Sequence, residues 1–192
     1  MAAPIDFYFD FASPYGYLAA EKIEPLAAKH GRSVTWRPTL LGAVFKVTGS
    51  KPLPEWPLKG EYAKRDFLRS ARFHNVPFKL PSQFPVGTVS ACRAFYSLED
   101  QKDRVKMAKG LYRAYFVENV NIGETDNVLK VAASLGFQPD LNDQAIKDKT
   151  KAEVEASIAR GVFGSPYIVV DNEPFWGLDR FDQLERWLRG PF

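Results

Sequence analysis

The chain has 192 residues, a length that suits one domain with room for an insertion, and its 45% hydrophobic and 26% charged residues exclude a disordered polypeptide. The 26 Lys and Arg against 23 Asp and Glu leave a net charge of +3, too small an excess to point to nucleic acid. One cysteine, Cys92, excludes an intrachain disulfide framework, a Cys-x-x-Cys pair and a zinc ribbon, and two histidines, His30 and His74, poorly supply a His-rich metal site or a Ser–His–Asp triad.

The predicted elements begin with Ile5–Phe11, a period-two run that puts Ile5, Phe7, Phe9 and Phe11 on one face of a strand. Ser13-Pro14 is a helix entry, with the hydroxyl as cap and proline in the first turn, and Tyr15–Lys29 reads as a helix kinked at Pro25 and stopped by Gly31. Ser33–Arg37 is a second strand ended by Pro38, so the chain opens as βαβ. Residues 39–58, with Gly42, Gly49, Pro52, Pro54 and Pro57, read as loop. Helices are expected over Tyr62–Phe73, Val89–Leu98, Arg104–Val117, Thr125–Leu135 and Leu141–Asp148. Thr150-Lys151-Ala152-Glu153 then has the pattern of a capping box that opens another helix running to Arg160. Tyr167–Val170 is a buried-type strand, the Asp171-Asn172-Glu173 turn leads into a short strand at Pro174–Trp176, and Asp179 is placed to cap a last helix with Phe181, Leu184 and Leu188 on one face.

Three segments carry candidate chemistry. Ser13-Pro14-Tyr15 lies beyond the carboxyl end of the first strand, where α/β sheets bind ligands, and a hydroxyl at a helix start suits an anion such as a thiolate; on its own the tripeptide reads first as a plain N-cap. Ser165-Pro166, leading directly into a strand, invites a cis bond that turns the Ser165 backbone toward an extended peptide, or is an ordinary trans bond in a glycine-rich loop. Phe175–Arg180 offers backbone amides, with Asp179 to accept from an ammonium group, or else Asp179 only caps and Trp176 only packs.

Taken together and in this order, Ile5–Tyr15, Gly161–Pro166 and Phe175–Arg180 resemble the 2-hydroxychromene-2-carboxylate isomerases, relatives of the kappa-class glutathione transferases. Pro57–Tyr62 with Arg65-Asp66, and Leu80-Pro81 through Phe84-Pro85, are similar to the same family, so the resemblance covers nearly the whole chain. It implies an α/β fold: a DsbA-like, thioredoxin-like domain formed by residues 1–38 and 150–192, carrying residues 39–149 as a loop and all-helical insertion. It also implies glutathione as cofactor and a homodimer. Carried over by position, Ser13 matches the catalytic serine that hydrogen-bonds the glutathione sulfur and favours its thiolate. Ser165 and Pro166 match the pair that holds the cysteinyl part, and Gly177, Leu178 and Asp179 the segment that receives the γ-glutamyl end. Lys46, Ser50 and Lys51 match positions near the substrate and the glutathione carboxylates. An aromatic-lined pocket is expected from Phe45, Trp56 and Phe84. Two positions depart from the family: Ser50 and Gly87 stand where relatives commonly carry asparagine, and each change removes an amide that could bind a polar substrate.

The activity that the resemblance implies is glutathione-dependent isomerisation of 2-hydroxychromene-2-carboxylate to trans-o-hydroxybenzylidenepyruvate, a step of aromatic hydrocarbon catabolism. In it a thiolate adds to a conjugated carbon, a double bond becomes rotatable, and the thiolate leaves. A kappa-class-like transferase or peroxidase acting on other electrophiles shares the sulfur site and is the alternative. Disulfide exchange is disfavoured because Ser13 and Gly16 stand where that chemistry needs cysteines, and Cys92 lies in a helical pattern and reads as core. Arg65, Arg69 and Arg72 form a basic helical stripe, read as a solvated face paired with Glu61 and Asp66 rather than a nucleic-acid surface. His30 and His74 read as helix C-terminal residues, not as bases. The sequence shows no secretory signal and no run approaching the roughly 20 apolar residues of a membrane span. A cytoplasmic protein without a metal or a membrane partner is expected.

Overall fold

The N-terminal alternation forms β1 (Ile5–Phe9) in a computed structural model that describes residues 3–192. β1 pairs in parallel with β2 (Val34–Pro38) and antiparallel with β3 (Tyr167–Val170), and β3 pairs antiparallel with β4 (Glu173–Trp176). The sheet order is β2-β1-β3-β4. Asp171 and Asn172, both at positive φ, make the two-residue turn that β3 and β4 require. β1 stops at Phe9, before the predicted Phe11. There the chain turns: the Ser13 N–H donates to the Asp10 carbonyl at 2.9 Å, and the Ala12 N–H to the Asp10 carboxylate at 2.7 Å.

The single predicted helix after β1 is two, α1 (Pro14–Ala20) and α2 (Ile23–Lys29). The break falls at Glu21-Lys22 rather than at Pro25, which lies in the first turn of α2, where its missing N–H costs nothing. Residues 39–58 are not all loop. Leu41–Thr48 form α3, ending at Gly49, and Leu53–Glu55 make a 3₁₀ turn before α4 (Lys59–Phe73). α3 has no capping side chain of its own; its first amide, Leu41 N–H, donates to Asp10 Oδ2 at 2.7 Å. α5 (Val89–Tyr96), α6 (Gln101–Phe116) and α7 (Thr125–Ser134) fall where periodicity places them.

The Thr150 capping box is absent. α8 runs unbroken over Gln144–Ala159, capped by Asp143, whose carboxylate accepts from Ala145 N–H at 2.8 Å. Thr150, buried in its middle, donates its hydroxyl to the Ile146 carbonyl at 2.8 Å. Asp179 does not cap the last helix either. It lies in a 3₁₀ turn, Leu178–Arg180, and α9 (Phe181–Arg189) starts from Arg180 without a side-chain cap.

The core joins sheet and helices through rings. Phe9 packs on Trp36 at 5.4 Å, on Tyr112 of α6 at 5.6 Å and on Phe95 of α5 at 6.1 Å, while Phe11 meets Tyr112 at 5.4 Å. Each such ring, fully buried, contributes about 1.5–3 kcal/mol from apolar area. Cys92 belongs to this core; burial pushes its thiol well above the usual range, as its helical pattern implied. Among the described residues no helix is long and apolar enough to cross a membrane, and no three His, Cys, Asp or Glu side chains are grouped to hold a metal ion.

Candidate active site

Beyond the end of β1 lies a cavity of about 1310 Å³. All ten residues singled out from the sequence line it: Ser13, Lys46, Ser50, Lys51, Phe84, Ser165, Pro166, Gly177, Leu178 and Asp179. They come from segments more than 160 residues apart, brought together because β1 lies next to β3 and the helices between them fold back over the same sheet end.

Ser13 is the N-cap of α1, 7% exposed, and its Oγ accepts from Gly16 N–H at 3.0 Å. The same hydroxyl donates to the Ser165 carbonyl at 3.0 Å. The Ser165–Pro166 bond is cis. The Ser165 carbonyl, expected to be open to a ligand, is thus already engaged by Ser13. Ser165 Oγ in turn accepts from Asp10 N–H at 3.0 Å. Of the first-turn amides of α1, Pro14 has none and that of Gly16 is taken, and a helix of seven residues adds only a small dipole. The Tyr15 N–H has no acceptor among the described residues, so an anion at this point would meet that amide together with the Ser13 hydroxyl. Gly16 is enclosed: a Cβ there would stand 2.6 Å from Ser165 Oγ and 2.9 Å from Tyr112 Oη.

Asp10 is the functional-site residue that the sequence reading missed. Its carboxylate, 3% exposed, accepts from Ala12 N–H, from Leu41 N–H and, at 3.2 Å, from the Thr88 hydroxyl. Burial raises its pKa, although those three bonds pull the other way. It ties together the Ser13 loop, the start of α3 and the start of α5, three walls of the cavity. An aspartate directly after an apolar strand, three residues before a helix cap, is the only local signal, and it reads as an ordinary turn residue.

Tyr15, also on the cavity wall, donates its hydroxyl to Asp66, which is further held by Arg69 and, at 3.3 Å, by Ser70. Despite partial burial these partners keep the Asp66 carboxyl below its usual value, whereas burial and the carboxylate raise the Tyr15 phenol. Of the expected pairs on the basic stripe, Arg69 takes Asp66, while Glu61 pairs with Lys64 at 2.7 Å rather than with an arginine of the stripe. Lys51 and Lys59 lie 4.8 and 5.6 Å from the centroid of the Trp56 ring, and Lys46 opens onto the same cavity from α3. At the other end Gly177 N–H donates to the Pro166 carbonyl at 3.0 Å, and Asp179 pairs with Arg180 at 3.3 Å. His74 lines the cavity and burial lowers its pKa, so it is neutral near neutral pH.

A family model, the DSBA-like thioredoxin domain, matches residues 4–189. The 2-hydroxychromene-2-carboxylate isomerase of Sphingobium xenophagum is 29% identical over 200 residues, covering 98% of this chain and 99% of that protein. Glutathione S-transferase kappa 1 of Caenorhabditis elegans is 28% identical over 209 residues, 97% of this chain and 91% of its own. A solved 2-hydroxychromene-2-carboxylate isomerase superposes with a TM-score of 0.86 at 25% identity, over 96% of this chain and 94% of its own.

Proposed function

The chain belongs to the DSBA-like thioredoxin domain family, and from that premise we propose that it is a glutathione-dependent isomerase converting 2-hydroxychromene-2-carboxylate to trans-o-hydroxybenzylidenepyruvate in cytoplasmic aromatic hydrocarbon catabolism. The observation that carries this reading is Ser13: a nearly buried hydroxyl, fixed by Gly16 N–H, at the floor of a cavity large enough for a tripeptide and a small aromatic acid. Disulfide chemistry needs two thiols, and the chain has one, Cys92, sealed in the core.

The residues present fit glutathione. Ser13 and the Ser165 backbone would hold the cysteinyl part, Gly177, Leu178 and Asp179 with Arg180 the zwitterionic γ-glutamyl end, and Lys59 beside Trp56 the glycyl carboxylate. When bound, glutathione supplies a thiolate nucleophile that adds to the conjugated substrate and leaves unchanged. The Ser13 hydroxyl, now directed at the Ser165 carbonyl, turns its proton to the sulfur while Gly16 N–H keeps the oxygen in place. Lys46 and Lys51 attract the substrate carboxylate, with Ser50 at the edge of that wall. Phe84, braced edge-on by Phe67 at 6.0 Å, excludes water on the opposite side. The reading includes a homodimer, measurable by light scattering.

The test is an ultraviolet difference spectrum of glutathione with the protein. A thiolate band near neutral pH that is lost in Ser13→Ala, together with conversion of the chromene in a coupled spectral assay, is the expected result. No thiolate band in the wild type would refute it. A second reading, conjugation of other electrophiles, is favoured by the near-equal similarity to the kappa-class transferase. Release of a stable glutathione adduct would select it.

A further inference from the structure

The cavity holds two aromatic surfaces that differ in what already covers them. Around Trp56 the π face is used: Lys51 and Lys59 both lie over that ring, and its indole N–H donates to the Lys51 carbonyl at 3.2 Å. Two cations over one indole make a pole for carboxylates and compete with another ring for its π surface. Trp176, also on the cavity wall, is 54% exposed although it sits at the end of a strand, and its neighbour Phe163 is 44% exposed. The two rings meet edge to face at 4.9 Å, and Phe163 is braced in turn by Tyr167 at 5.3 Å.

This pair is seated rather than merely left outside. Trp176 is in register with Tyr167, and the next residue, Gly177, bonds to the Pro166 carbonyl at 3.0 Å, which locks the end of β4 to the Ser165 loop. The indole edge rests on Gly164, where any Cβ would collide with Nε1. Glycine at 164 therefore answers a need for space at the place where the ring lies.

From these contacts the geometry points to Trp176, braced by Phe163, as the stacking platform for the aromatic ring of the second substrate, with Lys46 and Lys51 taking its carboxylate. Trp176 is thus a residue that determines specificity for planar aromatic acids. This inference rests on the function proposed above for the class of substrate. A platform of this kind favours offset stacking of a flat ring and gives no comparable gain to an aliphatic oxo-acid.

The probe is phenylglyoxylate, an aromatic oxo-acid, titrated against tryptophan fluorescence, with glutathione affinity measured separately by calorimetry. The expected result is saturable quenching in the wild type that disappears in Trp176→Phe, since the reporter is then lost. In Trp176→Ala the KM for the aromatic substrate rises about tenfold, while glutathione affinity stays within about twofold. Gly164→Ala, which displaces the indole without removing it, raises the same KM. Quenching that persists in Trp176→Phe would place the ring at Trp56 and overturn the inference. So would a Trp176→Ala variant that weakens glutathione and spares the aromatic substrate, or one whose only change is a shift from dimer to monomer. Absence of glutathione binding in the wild type defeats the proposed function instead, and leaves the phenylglyoxylate titration to be read on its own.

Discussion

Ser13 and Gly16 occupy the cap and the first turn of one short helix, and their side chains, one hydroxyl and one hydrogen, set what that turn can do. A thiol at position 16 would need the space now filled by Ser165 Oγ and Tyr112 Oη. The site is thus closed sterically, as well as by composition, to the two-thiol chemistry that its place in the fold would otherwise allow. Gly16→Ala is expected to destabilise the protein by about 1–3 kcal/mol, the range for an overpacked core position. The loss is read from the urea midpoint. Because the displaced group is the Ser165 hydroxyl that holds Asp10 N–H, the same variant is expected to weaken glutathione binding in calorimetry. Wild-type stability and affinity in Gly16→Ala would mean that the turn has slack which the distances deny. Ser13→Ala has a different signature: it loses a cap worth about 1 kcal/mol and, on the proposed mechanism, the thiolate band, while the turn keeps its shape.

At the scale of elements, local chemistry is readable wherever the partner of a group lies within a few residues. β1, the Ser13-Pro14 helix entry and the β3–β4 turn are of this kind, because alternation, capping and a two-residue hairpin are all decided nearby. α3 is not readable in this way. Leu41–Thr48 carries Gly42 and three β-branched residues, and the group that satisfies its first amide is a carboxylate 31 residues earlier in the chain. The same long-range carboxylate hides the role of Asp10, whose three donors come from positions 12, 41 and 88. In α8 a local pattern misleads. Thr150 to Glu153 has the letters of a capping box, yet Thr150 is buried against Ile146 and the cap is Asp143. Asp143→Ala is accordingly expected to cost about 1 kcal/mol. Glu153→Ala, which removes only a half-exposed partner of Arg37 at 3.7 Å, is expected to cost under about 0.5 kcal/mol. Equal losses in thermal unfolding would restore the capping box and break α8 in two. The ten cavity residues are legible as a set only through the resemblance, since no single segment among them shows that the sheet gathers it with the others.

Across the whole molecule two carboxylates, Glu185 and Asp10, have pH dependences that oppose each other. Glu185 on α9 bonds Lys29 of α2 and Arg189, each at 2.9 Å, and these cations lower its pKa from 4.5 to about 2. A depressed pKa stabilises the folded state above about 4.5, and that contribution is lost as pH falls toward about 2. Asp10 has the reverse sign. Burial raises its pKa above 3.8, so its contribution is complete below that value and is lost as pH rises through the folded pKa. The clamp between α2 and α9 therefore weakens in acid, while the buried pin behind Ser13 becomes easier to keep. Urea midpoints measured over an acid pH series should separate the two. The penalty of Glu185→Gln is expected to be constant above about pH 4.5 and to vanish toward pH 2. The penalty of Asp10→Asn is expected to be largest at the acid end and to shrink as pH rises, because the wild type then carries a buried charge that the amide avoids. Parallel curves for the two variants would mean that the donors from Ala12, Leu41 and Thr88 outweigh burial. Asp10 would then be a carboxylate held firmly ionised, and its charge would oppose a thiolate bound at the Ser13 hydroxyl at every pH where the protein folds.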